Sequence, residues 1–302
     1  MEGAILSTLF NLEVNMANTG TSASVFAGMQ PSERADRMRR YSFEDFKSGG
    51  VAHVSGTPFG DPVGTAGNVN YWVTDKNILQ YHVLGTQTIL APVRTATGLN
   101  ISQDLTNNDG TEWTFGCEEP EGTVIGARTR ATFTVGTDRP FFTSLKFKLA
   151  DVSGSDVAIV GFRKSEAYQA AHSSYDELAA IGNISGDIKI YTILNAGTPT
   201  TTDTTQNWAD AETHTLTVIV DSDGSLNLGA AGGSQVNSLR KVYYEIDGVK
   251  PTTTAAFTFD NAEVVIPFFY FIHDSDVAET TELIEWEVGF VGVGNTTQLA
   301  AQ

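Results

Sequence analysis

The chain has 302 residues, enough to bury a sizeable core, and its single cysteine excludes an intrachain disulfide. Hydrophobic residues make up 41% and charged residues 18%, and because no apolar run reaches about 18 residues we expect no membrane-spanning segment. The net charge of −18, from 36 acidic and 18 basic side chains, disfavours binding to the phosphate backbone of nucleic acids.

Residues 1–50 are predicted to form an N-terminal arm that anchors the protein to a larger partner, because the first 30 residues show no sustained apolar period. Within the arm, PSERADRMRRYSFEDF predicts one short helix capped by Ser32. The candidate anchoring residues are four arginines and three aromatic residues: Arg34, Arg37, Arg39, Arg40, Tyr41, Phe43 and Phe46. The alternative is a solvated helix whose aromatic side chains pack on the body of the protein.

Residues 51–79 are rich in glycine and proline, which predicts a connector that ends in a first strand. Residues 80–294 carry short segments of β-branched and aromatic residues separated by turn residues, which is typical of a β-sandwich domain. In SLKFKLA, three apolar residues alternate with two lysines, as in a half-buried strand. Residues 295–302 are left as a C-terminal tail.

Two segments interrupt this succession of strands. SEAYQAAHSSYDELAAI, at 165–181, is predicted to be either a helical excursion or a long loop. The polar, threonine-rich NAGTPTTTDTTQNWADAE is predicted to lie at the surface with Trp208 exposed. Because no helices alternate with the strands, antiparallel sheets are favoured over parallel ones.

The C-terminal third carries four related segments: HTLTVIVDSDG, KVYYEIDGV, AFTFDNAEVVIPFFYFIHDSD and LIEWEVGFV. In them a His-Thr-Leu strand leads through an acidic turn to a strand that ends in Asp247-Gly248. This order resembles the closing strands of concanavalin-like lectin and laminin-G domains. The resemblance implies an all-β fold, a concanavalin-like jelly-roll β-sandwich. The insertion between Leu226 and Leu239 departs from the short hairpin of that family and is a candidate for a family-specific contact.

A longer succession includes FTVGTDRPFFTSLKFKLADVSGSDVAIVGFRKSEAY and SGDIKIYTILNAGTPTTTDTTQNWADAETHTLTV. Over residues 80–294 the chain resembles virion structural proteins of tailed bacteriophages. The resemblance implies a capsid decoration (cement) protein or a fibre component, often a trimer, made in the host cytoplasm and placed on the virion. The implied partner is the major capsid protein.

Glu285 and Glu287 flank Trp286 on one predicted strand, and paired carboxylates are what glycoside hydrolysis requires. The laminarinase-type pattern, however, has a third carboxylate where Phe290 stands. We therefore expect no enzymatic activity.

Two aspartate pairs, Asp221 with Asp223 and Asp274 with Asp276, offer oxygen ligands for calcium. Neither run completes an EF-hand loop, so turn formation is the expected role of these residues. The five histidines form no closely spaced pair, and no phosphate-binding glycine loop is present. The sequence therefore predicts neither a metal nor a cofactor.

Two functions stay open. The first is capsid decoration, in which the arm lies across the capsid and stabilises it by mass action while the jelly roll projects outward. The second is a glycan-binding adhesin or fibre component, in which Trp208 stacks on a sugar ring.

Overall fold

The computed structural model describes residues 42–47, 51–54, 69–74, 78–85, 92–101, 108–115, 132–153, 155–166, 168–226, 239–273 and 281–291. For residues 42, 43, 51–54, 69–74 and 78 it describes the backbone alone. These residues form 17 β-strands and a single turn of 3-10 helix, His172–Ser174.

The strands are short, between two and ten residues long. The first eight are β1 (Ser42–Asp45), β2 (Val51–Val54), β3 (Val69–Thr74), β4 (Ile78–Leu84), β5 (Val93–Arg94), β6 (Leu99–Asn100), β7 (Gly110–Phe115) and β8 (Phe133–Thr134). The other nine are β9 (Phe141–Lys148), β10 (Ser155–Lys164), β11 (Leu178–Ile184), β12 (Asp187–Ile193), β13 (Thr200–Asn207), β14 (Thr213–Asp221), β15 (Lys241–Ile246), β16 (Val264–His273) and β17 (Glu282–Phe290).

These strands form two antiparallel sheets. The smaller sheet has seven strands in the order β15-β14-β9-β17-β6-β5, with β1 paired to β17. The larger sheet has ten strands in the order β13-β12-β11-β10-β16-β7-β4-β3-β2, with β8 paired to β16. Neighbours such as β9 and β17 are distant in the chain, so the sheets are joined by crossovers as in a jelly roll. The predicted all-β, lectin-like jelly-roll sandwich is confirmed.

The two sheets pack face to face around one hydrophobic core. On β9, Leu145 and Phe147 point into this core and the two lysines between and after them face outward, as their alternation predicted. Phe133 stacks on Phe141 with ring centroids 4.3 Å apart, and Phe290 meets Phe133 edge-on at 5.5 Å. Aromatic packing of this kind stabilises the sandwich beyond the area that it buries.

The ten-stranded sheet is covered on its outer face as well. Tyr168 and Tyr175, from the loop that follows β10, pack onto a second hydrophobic cluster there. Its buried members are Leu84, Ile159, Tyr175, Leu178, Ala180, Tyr191, Ile193, Phe268 and Tyr270. Strands buried on both faces lose the polar alternation of half-buried strands, which explains the continuous apolar runs of β10 and β11.

The residues that follow the arginines of the predicted arm helix form a strand, since Ser42–Asp45 is β1. β6 pairs with only the first two residues of β17, and β1 pairs with Glu285 to Val288 further along the same strand. The backbone groups of β17 that β6 does not reach thus find their partners in β1. Residues 31–41 of the predicted helix lie outside the described residues.

Two further local predictions are only partly right. Residues 165–166 and 168–177 belong to a loop with one helical turn, but Leu178 already begins β11, a strand that the sequence did not predict. The threonine-rich stretch does lie at the surface, yet it includes β13, the edge strand of the larger sheet.

The proposed arm, 1–50, contains β1, and the proposed connector, 51–79, contains β2 and β3. Each of these strands is hydrogen-bonded into one of the two sheets. Within the described ranges, no helix has the length and apolar character needed to cross a membrane.

Candidate functional site

The predicted anchoring residues are only partly described. Arg34, Arg37, Arg39, Arg40 and Tyr41 lie outside the described residues. Phe43 is paired through its backbone with Glu287 in β17. Phe46 is fully buried in the main core, and its N–H donates to the carbonyl of Ile284 at 3.0 Å. The side chain of Phe46 therefore packs on the body of the protein and does not reach an external partner.

The prediction that Trp208 is exposed is wrong. Its side chain is only 4% exposed and belongs to the main core. The indole packs on Phe147 with centroids 4.7 Å apart, and its Nε1–H donates to the carbonyl of Glu212 at 3.3 Å. The polar neighbours of Trp208 are typical of a surface loop, but the chain turns inward directly after β13 and buries the ring over the end of the core.

The carboxylates considered for catalysis or calcium take structural positions where they are described. Glu285 lies half exposed on the outer face of β17 and forms an ion pair with Lys47 at 3.4 Å. Asp221 and Asp223 accept backbone hydrogen bonds within their own turn, from Leu226 and Ser225. Asp274 and Asp276 lie outside the described residues. Among the described side chains, no three from His, Cys, Asp and Glu converge as a metal site requires.

An opening that the sequence did not predict lies between the edges of the two sheets, where β15 ends one sheet and β13 the other. After β15 the chain reverses at Asp247 and Gly248, whose φ angles of 52° and 77° are those of a tight hairpin turn. It then returns beside β15 as residues 249–258, which we call the return segment. The backbone N–H of Val242 donates to the carbonyl of Phe257 at 3.1 Å and holds the segment in place.

Two cavities share residues 254–257 of the return segment as a wall, and we call them together the lateral cleft. The larger, of about 410 Å³, is bounded on its other side by β12, β13 and the loop between them. Five threonines contribute to its lining, and the cavity is named the threonine cavity after them: Thr192, Thr198, Thr200, Thr202 and Thr254.

Three of these threonines occupy positions that face the inside of the sandwich. Thr200 lies directly opposite Thr192, and Thr202 directly opposite Ile190, a residue of the main core. Opposed residues in an antiparallel pair share a face, so the inner face of β12 runs from Ile188 and Ile190 to Thr192. At this corner the apolar core pattern is thus replaced by hydroxyl groups that can each donate and accept hydrogen bonds.

The smaller cavity, of about 240 Å³, lies between β15 and the return segment and is named the lysine cavity. Tyr243 and Phe257 supply aromatic surface to its lining, and Lys241 and Lys250 supply positive charge. Neither lysine forms an ion pair with any carboxylate of the described residues. The lateral cleft therefore combines aromatic surface, hydroxyl groups and unpaired ammonium groups.

A second polar site lies on the outer face of the ten-stranded sheet, but it is closed. Arg163 donates from Nε to Glu112 at 2.7 Å, and both side chains are almost completely buried. Tyr175 covers the pair: its ring lies 4.4 Å from the guanidinium carbon and its hydroxyl donates to the second oxygen of Glu112. We call these three residues the ion-pair cluster.

The residues around the ion-pair cluster are largely buried. Burial, reinforced by the charge of Glu112, raises the pKa of the Tyr175 hydroxyl well above its usual range. Burial lowers the pKa of His172 to about 4, where its ring packs against Tyr191 and Tyr270. Both groups are therefore neutral at pH 7.

Glu177 connects the end of the loop after β10 to the chain just beyond the return segment. Its side chain is fully buried, and Oε2 accepts a hydrogen bond from the backbone N–H of Asp260, two residues beyond the return segment. Oε1 has no hydrogen-bond partner within the described part of the chain. Burial, with a smaller effect of the nearby Asp260 and Glu263, raises the pKa of Glu177 to about 7.

The sequence contained one signal for the lateral cleft. In DIKIYTI the alternate residues are Ile188, Ile190 and Thr192, so the inward-facing apolar pattern ends in a polar residue. The two lysines gave no signal, because Lys241 and Lys250 line the same cavity only as a result of the hairpin and the return segment.

No protein-family model and no curated protein matches the chain. Among solved structures, the carbohydrate recognition domain of Emp46p in its potassium-bound form is 8% identical, with a TM-score of 0.43 over 70% of this chain and 89% of that one. The exoplasmic/lumenal domain of VIP36 with Ca²⁺ and Man3GlcNAc bound is 9% identical, with a TM-score of 0.40 over 70% of this chain and 84% of that one. A Trypanosoma rangeli sialidase is 9% identical, with a TM-score of 0.43 over 79% of this chain and 31% of that one.

At these identities and TM-scores the three structures carry no argument about ligand or activity. None of the three is a phage or virion protein. The predicted capsid position, trimer and capsid-protein partner therefore stay predictions.

Proposed function

We propose that the protein is a glycan-binding module that holds an oligosaccharide in the lateral cleft. The observation that carries this proposal is the replacement of core residues by threonines on the inner face of β12 and β13, beside an open cavity of about 410 Å³. Ligand pockets in proteins measure roughly 300–1,000 Å³, so this volume is of the right order for a sugar ring.

The chemistry of the lining supports a saccharide. A sugar presents hydroxyl groups at its edges and C–H groups on its faces, so it needs both hydrogen-bonding partners and aromatic surface. Threonine hydroxyls along β12 and β13 both donate and accept hydrogen bonds. Tyr243 and Phe257 supply aromatic surface in the neighbouring lysine cavity.

The proposal is for binding without catalysis. Glu285, the best described candidate acid, lies on the outer face of β17 beside Lys47, and Phe290 belongs to the main core. Capsid decoration, the function predicted first from the sequence, gains no support from the described residues, because Phe46 is buried and the arginines of the arm are not described. Glycan binding is therefore the main proposal.

A broad glycan array followed by calorimetry tests this proposal. The informative variant is Thr200→Val with Thr202→Val, which keeps side-chain volume while removing two hydroxyl groups from the threonine cavity. Each lost hydrogen bond is worth about 0.5–1.5 kcal/mol, so the double variant is expected to bind its glycan roughly tenfold more weakly.

Thr201→Val is the matched control, because Thr201 lies opposite Tyr191 on the outer face of the same strand. This variant is expected to bind like the wild type. An array without any bound glycan, or a double variant that binds as tightly as the control, would contradict glycan binding in the lateral cleft.

A further inference from the structure

We infer that the oligosaccharide is acidic, with carboxylate or sulfate groups that lie between Lys241 and Lys250 in the lysine cavity. The inference rests on the proposed function and names the class of ligand for the same cleft. It depends on where the two lysines lie, on the absence of an ion-pair partner for either lysine within the described part of the chain, and on the charge of the rest of the chain.

The hairpin and return segment place the two lysines at opposite ends of the lysine cavity. Lys241 begins β15 and bridges to Thr258, whereas Lys250 directly follows Val249, which pairs with Ile246 at the other end of the strand. At about 3.3 Å per residue, the two ends of β15 are roughly 16 Å apart. Both side chains line the same cavity, so an oligosaccharide that lies along β15 can present anionic groups to both lysines.

Lys241 and Lys250 differ from the ion-paired lysines in having no carboxylate partner among the described residues, and from Lys146 and Lys148 on the outer face of β9 in lining a cavity. Lys164 bridges Asp176 and Glu263, Lys189 pairs with Asp187 at 3.0 Å, and the carboxylates neutralise their charge. No carboxylate of the described residues does the same for the two lysines of the cavity. A ligand that brings its own anionic groups supplies the missing counter-charge, and the aromatic side of the cavity strengthens this interaction by excluding water.

Because the overall charge is −18, an acidic ligand is expected to bind beside these lysines in preference to the rest of the surface. An acidic polymer is repelled by most of the surface, and this repulsion is screened beyond about 8 Å at physiological ionic strength. Within that distance the charges nearest to the ligand determine whether it is attracted or repelled. A pair of unneutralised ammonium groups beside a hydroxyl-lined cavity therefore favours an acidic saccharide there. Lysine is a point charge with no preferred planar geometry, so it accepts carboxylate and sulfate alike.

Calorimetry with three galactose-based oligosaccharides of equal length tests the inference: a neutral galactan, an oligogalacturonate and a sulfated galactan. Because charged hydrogen bonds are stronger than neutral ones, at least one acidic ligand is expected to bind about tenfold more tightly than the neutral one. Lys241→Gln with Lys250→Gln is expected to abolish this preference, so that the neutral and the acidic ligands bind this variant with similar affinity.

The matched control is Lys146→Gln with Lys148→Gln, which removes the same charge from the outer face of β9 and is expected to keep the preference. Equal binding of neutral and acidic ligands, or a preference that survives loss of Lys241 and Lys250, overturns the inference but leaves the proposed function intact. If the neutral ligand still binds, and binds more weakly to the Thr200→Val, Thr202→Val variant, the proposed function holds although the inference has failed. If the broad array shows no glycan at all, the proposed function fails and the inference fails with it.

Discussion

The ion-pair cluster and the lateral cleft differ in whether their charged side chains have a partner of opposite charge among the described residues. In the cluster, Arg163 and Glu112 neutralise each other, and Tyr175 caps the pair with a hydroxyl and an aromatic face. In the cleft, Lys241 and Lys250 line a cavity and find no carboxylate among the described residues. The loop after β10 closes the first site, whereas the return segment leaves the second one open.

This difference separates charge that maintains the fold from charge that is available to a ligand. A carboxylate with both oxygens hydrogen-bonded to protein groups, away from water, has little left to offer a substrate. An ammonium group without an internal partner adds little to stability, yet it attracts an external anion. Polar groups inside a β-sandwich therefore indicate function when they are incompletely paired and accessible, and structure when they are paired and covered.

The largest expected effect comes from breaking the ion-pair cluster. Glu112→Ala leaves the guanidinium of Arg163 buried without its counter-charge, and such changes cost about 3–5 kcal/mol of unfolding free energy. Urea unfolding followed by tryptophan fluorescence measures this loss. Replacing both members, with Glu112→Leu and Arg163→Met, removes the charge altogether and is expected to cost less than the single substitution.

The exposed pair of Lys47 and Glu285 is the matched control for the buried one. Glu285→Gln is expected to change the unfolding free energy by less than about 1 kcal/mol, since solvent screens exposed pairs. If Glu112→Ala is as mild as Glu285→Gln, the ion-pair cluster does not have the structural role described above.

An intermediate effect on the free energy of unfolding is expected at Glu177, the buried residue that accepts a hydrogen bond from Asp260. The pKa of Glu177 is about 7 in the folded protein, and the pKa of an unperturbed glutamate is 4.5. Between these two pH values the folded state retains a proton that the unfolded state has lost. The contribution of Glu177 to the free energy of unfolding therefore falls as the pH rises from about 4.5 to 7. Glu177→Gln removes this loss, and its advantage over the wild type is expected to grow by about 1–3 kcal/mol over that interval.

Urea unfolding of both proteins at pH 5 and pH 8 measures this difference. An advantage of Glu177→Gln that is the same at both pH values would contradict the raised pKa. The Glu285→Gln protein again serves as the control, with a change below about 1 kcal/mol at either pH.

The smallest effect on stability is expected in the lysine cavity. Lys241→Gln with Lys250→Gln should change the unfolding free energy by no more than about 0.5 kcal/mol, because neither side chain has an ion-pair partner to lose among the described residues. Urea unfolding of this variant sharpens the comparison: a large loss would place the two lysines among the structural charges and not among the ligand-binding ones.

The sandwich was predictable from the sequence because local patterns determine it. The alternation in SLKFKLA and the Asp-Gly hairpin after KVYYEI each arise from a short stretch of chain, and both appear in the structure as expected. β11 was missed for a physical reason: a strand buried on both faces reads as the apolar run LAAI, which has no period-two pattern.

The sites were less predictable, since each depends on contacts between distant residues. Glu112 and Arg163 are 51 positions apart in the chain. They lie on β7 and β10, the two strands that flank β16, and their side chains meet across β16. Trp208 is surrounded in sequence by Thr, Gln, Asn and Asp, and only the turn after β13 shows that its ring is buried. Residue type and neighbours therefore indicated which residues were unusual but not where they lie.

The edge strand β13 has a bulge with consequences for association between chains. The register with β12 shifts between Ile188 and Lys189, and Thr205 adopts a positive φ of 67°. The Asp203 carboxylate accepts the backbone N–H of Thr205 at 2.7 Å, so this donor is not available to another strand. An exposed edge is a template for strand addition and aggregation, and a bulge with a charged side chain interrupts that template. The same strand that lines the threonine cavity thus protects the protein against polymerisation through its open sheet edge.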